Sequence, residues 1–283
     1  MMVLVTRPIA CIFDNTNTYM FMKKFTLFCG ILFSMQFAAV SAQTTTTVNQ
    51  MLVHNGDGSV VEYTTSDVNY VSFATSQIEA TTDGKIINGH KFVDLGLPSG
   101  LLWAETNVGA ETAADYGCYF AWGETEMTTK TSYNWATYKH GTKSTEITKY
   151  NSTDQKTALD KDDDAAYVNW STFCRMPTMQ EFVELNNTDN CTWTWTTQTN
   201  SSGTEISGYK VTSNKNGNSI FLPATGKYSD NSLILQGEKG RYWSRSRDSN
   251  TKAYLALMDE DDHVSSSVDS RYAGFTVRPV AEP

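Results

Sequence analysis

The chain has 283 residues, with 22 Lys and Arg against 31 Asp and Glu and a formal net charge of −9. That balance argues against a nucleic-acid binder, which needs a basic footprint, and against docking on anionic membrane surfaces. Plentiful Tyr, Trp and Phe, with many Thr, Ser, Asn and Gly, fit a strand- and loop-rich domain better than a helical bundle.

Lys23 and Lys24 follow Met22, an apolar run spans 25–40 (FTLFCGILFSMQFAAV), and Val40-Ser41-Ala42 precede Gln43. A basic start, a short apolar stretch and a small-residue exit are the secretory pattern. Residues 22–42 are therefore predicted to be a cleaved signal peptide, and 1–21 an over-extended start. The run is shorter than the roughly 20 residues that span a bilayer, and Gln36 interrupts it. No later segment is apolar enough to span, so the expected product is secreted or cell-surface and not an integral membrane protein. Cys29 lies mid-run, away from the exit, which disfavours a lipid-anchored cysteine. The first 42 residues hold three basic and one acidic residue, so their loss leaves a formal charge of −11. Cys118, Cys174 and Cys191 remain, an odd number and too few for a disulfide-built scaffold.

Residues 43–82 read as a small β module and linker. Strands are predicted at 51–53, 60–63 and 71–73, with Asn55-Gly56-Asp57-Gly58 as a turn, and the polar stretch 74–85 as the linker. The main domain spans 83–283. Strands are expected at 92–97 and 101–104 around a Pro98-Ser99-Gly100 turn. Residues 123–160 read as a long surface excursion. Asp164 is placed to cap a short helix to Trp170. Thr178 and Glu181 form a capping box for a helix over 179–186 that buries Phe182 and Leu185. The period then becomes two, with strands at 192–196, 208–212, 219–222, 242–244, 253–258, 264–268 and 275–280. Asn216-Gly217 joins two of them. Trp193 and Trp195 fall on one face of their strand and Thr192, Thr194 and Thr196 on the other.

Eight blocks then occur in order: VDLGLPSGLLWAETNVG (93–109), YFAWGE (119–124), DDAAYVNW (163–170), RMPTMQEF (175–182), NCTWTWTT (190–197), GYKVTSNKNGNSIFLPATG (208–226), YWSRS (242–246) and VRPV (277–280). Together they resemble the Fibrobacter succinogenes major paralogous domain, common in exported proteins of gut Bacteroidetes. The likeness covers about 88–280, and the preceding hairpin segment resembles a unit often placed before that domain. The resemblance implies an α+β, C-type-lectin-like fold of the branch shared with formylglycine-generating enzymes, with two helices and a twisted antiparallel sheet. It also implies a ligand-binding face on loops near the C-terminal strands.

Cys118 and Cys174 stand where that family leads one to expect other residues, whereas Cys191 sits in the usual NCTWTW block. The two departures predict a Cys118–Cys174 disulfide; the alternative is buried free thiols. A formylglycine-generating enzyme needs two cysteines in its C-terminal part, and none follows Cys191. The calcium-binding triplets of sugar-binding C-type lectins are also missing. The acidic runs 160–164 (DKDDD) and 259–262 (DEDD) read as solvated turns, with calcium as the alternative. His54, His90, His140 and His263 lack zinc-type pairing; Glu124 and Glu181 could be imagined as paired carboxylates, but the capping role accounts for Glu181 and Glu124 follows a Trp-Gly corner. The expectation is a non-catalytic binding protein with no cofactor and no metal, recognising an extracellular protein or glycan. A structural or assembly role at the cell surface is the alternative. The predicted binding residues are Arg245, Arg247, Asp248, Asn250, His263, Asp269, Arg271 and Tyr272, loop chemistry held by strands.

Overall fold

The computed structural model describes residues 50–54, 60–64, 78–127, 130, 132–263 and 266–283. The predicted signal peptide, the turn at 55–58 and the strand at 71–73 lie outside them. The chain divides into two compact units, residues 1–75 and 76–283. In the first, β1 (Gln50–His54) and β2 (Val60–Thr64) pair antiparallel, with Met51 opposite Tyr63.

The second unit is mixed but mostly strand, built of curled antiparallel sheets. Its largest sheet has six strands. They are β3 (Ile78–Thr81), β4 (Gly84–Ile87), β5 (His90–Asp94), β6 (Leu102–Ala104), β16 (Val280–Ala281) and β7 (Cys174–Arg175), in that spatial order. The polar stretch 74–85, read as linker, thus overlaps a hairpin of the main sheet over 78–87. Glu79 is exposed and Lys85 half-buried while Ile87 is buried, so edge position explains the polar composition.

Two helices follow the sequence signals. Asp164 caps α1 (Ala165–Asn169) by accepting from the Ala166 and Tyr167 amides. Thr178 and Glu181 form the reciprocal capping box of α2 (Met179–Asn186), which buries Phe182 and Leu185. A second sheet of three strands contains β8 (Cys191–Thr199), β9 (Glu205–Ser213) and β10 (Ser219–Pro223). On β8, Trp193 and Trp195 pack on Tyr209 while Thr192, Thr194 and Thr196 are exposed. Asn216-Gly217 makes the turn, with Gly217 at φ +78°.

A short ribbon, β11 (Lys227–Ser229) and β12 (Ser232–Ile234), was not signalled by periodicity. The last sheet joins β13 (Lys239–Arg247), β14 (Lys252–Asp259) and β15 (Ser267–Ser270). The predicted strand at 275–280 is a correction. Only Val280 pairs in a named strand there; Phe275 and Thr276 make single bridges to Phe120 and Tyr242. The segment is apolar because it threads the core, where Phe275, Val277 and Val280 are fully buried.

One core cluster centres on Trp103, Phe182, Tyr209, Leu222 and Tyr242. A second centres on Trp122, Tyr150, Trp243 and Phe275, and a third on Ile87, Phe92, Leu102, Cys174 and Ala281. The fully buried Arg278 ties the 104–107 segment to β10: it donates to Asn107 Oδ1 (2.7 Å) and to the carbonyls of Ala104 (3.0 Å), Glu105 (2.8 Å) and Phe221 (2.9 Å). Burial pulls its pKa down to about 10.

The excursion at 123–160 has little regular structure but is firmly held, contrary to a free surface loop. Tyr133, Tyr138, His140, Tyr150 and Leu159 are buried in it. A Cβ on Gly274 would lie 2.5 Å from the Tyr133 ring, so glycine is required for that close approach.

The predicted Cys118–Cys174 disulfide is not formed; both thiols are free. Cys118 packs beside the second cluster and points its sulfur at the Met127 carbonyl, 3.7 Å away. Cys174 belongs to the third cluster, with Sγ 3.3 Å from the Ser171 carbonyl and 3.5 Å from that of Ala166. Burial pushes the Cys174 thiol up to about 12 and raises that of Cys118, so both behave as small apolar groups.

Candidate functional site

The eight residues predicted as a binding face do not form one. Arg271 is fully buried. It donates to the carbonyls of Tyr150 (2.6 Å), Ser249 and Lys149 (3.3 Å), and its guanidinium lies 4.8 Å from the Trp122 ring. It clamps the excursion to the last sheet. Arg247 donates to the Asn151 carbonyl at 2.7 Å and serves the same end. Tyr272 packs edge-on against Trp135, 5.0 Å between ring centres. Asp269 is held between Lys227 (3.0 Å) and Arg241 (3.4 Å). His263 stacks on Trp193 and meets Asn186 Oδ1 at 2.6 Å, in another neighbourhood. Asp248 and Asn250 are exposed. Arg245 alone lines a sizeable concavity.

The run DKDDD is likewise not a solvated turn. Residues Lys161–Asp163 form a 3-10 turn that leads into the Asp164 cap, and Asp163 and Asp164 are buried. Asp163 accepts from Lys139 (2.7 Å), Lys149 (2.5 Å) and Tyr150 (2.6 Å). Burial alone would raise its pKa; these donors outweigh that effect and hold it well below the usual carboxylate range. The second run, DEDD, does close a turn: the Asp259 carboxylate accepts from the amides of Asp261 and Asp262. Among the described residues, no group of three or more His, Cys, Asp or Glu side chains is gathered as a metal set. Glu181 is engaged bidentately by Arg175, both contacts at 2.8 Å, and Glu124 by Lys130 at 2.7 Å.

The concavity that includes Arg245 has a volume of about 390 Å³, within the usual range of small-ligand sites. Lys85 and Ile87 come from β4, Lys161 from the 3-10 turn, Tyr167 from α1, Cys174 and Arg175 from β7, and Glu282 from the segment after β16. Its rim carries two apolar side chains open to water, Phe173 at 48 % and Ile78 at 49 % exposure. Local chemistry explains the shape. After the Trp170 cap of α1, Ser171 makes a tight turn, its Oγ accepting from the Phe173 amide at 3.2 Å, and Phe173 is left exposed. Cys174 and Arg175 then drop into the sheet beside Ala281 and Val280.

Four cations, Lys85, Lys161, Arg175 and Arg245, face two carboxylates, Asp164 and Glu282, in a chain of net charge −9. Arg175 is neutralised by Glu181 and by Glu282 (3.2 Å). Burial raises the pKa of Asp164, and its oxygens accept from the Ala166, Tyr167 and Met176 amides. Lys85, Lys161 and Arg245 have no ion-pair partner among the described residues. Nothing in the spacing of these residues, scattered over 160 positions, marks them as neighbours; only the polarity of the 78–87 hairpin hinted that it faced outward.

Comparison with family models, with curated proteins and with solved structures gives no significant match to this chain. No helix among the described residues is long and apolar enough to cross a membrane.

Proposed function

We propose that this is an exported, non-catalytic recognition protein that binds an extracellular protein segment or glycan in the groove between α1, β4 and β7. The observation that carries this reading is the groove itself: a volume of about 390 Å³ with an excess of cations and an exposed aromatic rim. Loops on a rigid scaffold are the usual place for such a site. Export rests on the 22–42 signal pattern. The C-type-lectin-like fold rests on the eight ordered blocks, and the strand-dominated unit with two helices is compatible with it. A non-catalytic role is supported by the engagement of Asp163, Glu124 and Glu181 in structural ion pairs. The groove replaces the C-terminal loops as the favoured site because those loops use their arginines to hold backbone carbonyls.

The test is a glycan and peptide array probed with the full chain and with two variants. Thr172 lines the groove, and Thr172→Trp fills it; Asp248→Ala with Asn250→Ala strips the exposed tip of the C-terminal loops. Loss of a specific signal only in the first variant supports the groove. Loss only in the second returns the site to the C-terminal loops.

A further inference from the structure

Arg245 is a partly buried cation of the groove without an ion-pair partner among the described residues. Its amide donates to the Pro177 carbonyl (2.8 Å) and its Nη2 to that of Leu159 (2.6 Å), so backbone and head are both positioned. Its Nε is buried with no hydrogen-bond partner. No carboxylate lies within 4 Å of its guanidinium among the described residues; Asp164 is the acid that senses its charge, and that carboxylate is already satisfied by backbone amides. A guanidinium that is half-withdrawn from water and left without an anion is costly to maintain. Its planar fork suits carboxylate better than a neutral group.

Two more unpaired cations flank it. Lys161 sits over the Tyr167 ring, with Nζ 5.5 Å from the centroid, and Lys85 stands on β4. The same groove presents Phe173 and the Tyr167 ring as apolar surface. Rings beside a cationic floor match a ligand that alternates apolar sugar faces with acidic groups. The enclosed volume suits a few sugar units, whereas a folded protein partner covers about 800 Å² of surface per side.

We propose that the groove binds an acidic oligosaccharide of uronic-acid type, its carboxylate held by Arg245 with Lys85 and Lys161 as flanking charges. This rests on the groove being the binding site. The decisive measurement is calorimetric titration of the full chain with three probes: trigalacturonic acid, its methyl ester, and a hexaglutamate peptide. The acid is expected to bind and the ester to bind about tenfold or more weakly, the loss typical of removing a charge-assisted hydrogen bond. Arg245→Met should reproduce that loss for the acid. Lys85→Ala with Lys161→Ala, both away from the core, should weaken binding severalfold and flatten its salt dependence, which keeps the proposal testable if Arg245→Met does not fold. Equal binding of acid and ester, sensitive to Phe173→Ala, would overturn the acidic assignment while leaving the groove as the site. Binding of the acid that ignores both Arg245→Met and Phe173→Ala would overturn the groove together with the assignment. Hexaglutamate binding as tightly as the acid would overturn the saccharide, and no binding of the acid at all would overturn the proposal outright.

Discussion

The C-terminal loop region and the groove beside α1 carry similar side chains and use them in opposite ways. Between Trp243 and Phe275, Arg247 and Arg271 reach inward to carbonyls of the excursion, and Asp269 is closed by two cations. Arg245 belongs to both regions: it lies on β13 and holds the Leu159 carbonyl of the excursion, yet in the groove it joins Lys85 and Lys161, from separate elements, in reaching no acid among the described residues. Dense polar chemistry in one stretch of chain marks a segment that must be tied down. Sparse cations converging from distant segments mark a surface with charge left over for something else.

The contrast is broken most directly at Arg271. Arg271→Met leaves the carbonyls of Tyr150, Lys149 and Ser249 without their donor and should cost about 3 kcal/mol or more, read by urea unfolding, with binding affinity unchanged in the fraction that folds. A near-neutral result would mean that the C-terminal arginine is free for a ligand after all.

Asp163 should come next. Asp163→Asn weakens the ties to Lys139 and Lys149 and should lower stability by about 2 kcal/mol at neutral pH. Because the folded pKa of Asp163 lies below its ordinary value of 3.8, its contribution is present above that value and is lost as pH falls towards the folded pKa. From pH 6 down to about 2 the gap between wild type and Asp163→Asn should therefore narrow, without closing, because the folded pKa lies lower still. Curves that stay parallel would remove Asp163 as the anchor of the excursion.

Arg245→Met is expected to move binding more than stability, the reverse of Arg271→Met. It removes one hydrogen bond, to Leu159, so its unfolding free energy should fall by about 1 kcal/mol while ligand affinity falls about tenfold. Equal and large losses of stability at both arginines would erase the distinction between the two regions. The smallest effect belongs to Asp248→Ala with Asn250→Ala, exposed tips whose replacement should change stability by less than about 0.5 kcal/mol and leave affinity alone.

Thiol titration sharpens the packing argument. Cys174 and Cys191 should react with a disulfide reagent only on unfolding, Cys118 sooner, since the first two are at most 2 % exposed and Cys118 is half-buried. A reductant-sensitive mass or mobility would restore the Cys118–Cys174 bridge.

Local chemistry made much of the second unit legible. The Asp164 cap, the Thr178–Glu181 box and the Trp193–Trp195 alternation all stand as read, because each depends on residues within a turn or a strand. The errors have one cause. Residues 74–85 looked like linker since an edge hairpin can be polar, and 275–280 looked like a strand since a buried thread is as apolar as one. The predicted face failed for the same reason: Arg271 is indistinguishable in sequence from a surface arginine until Trp122 and the Tyr150 carbonyl are found around it.

By itself, then, the sequence determined the helix caps, the alternation of Trp193 and Trp195 with threonines, and the turn at Gly217, all matters of short-range backbone and side-chain preference. Only the tertiary structure decided which charges are consumed and which remain. Whether an arginine holds the fold or awaits a ligand depends on the carbonyls and carboxylates that distant segments bring within about 3 Å of it, and no pattern along the chain records that distance.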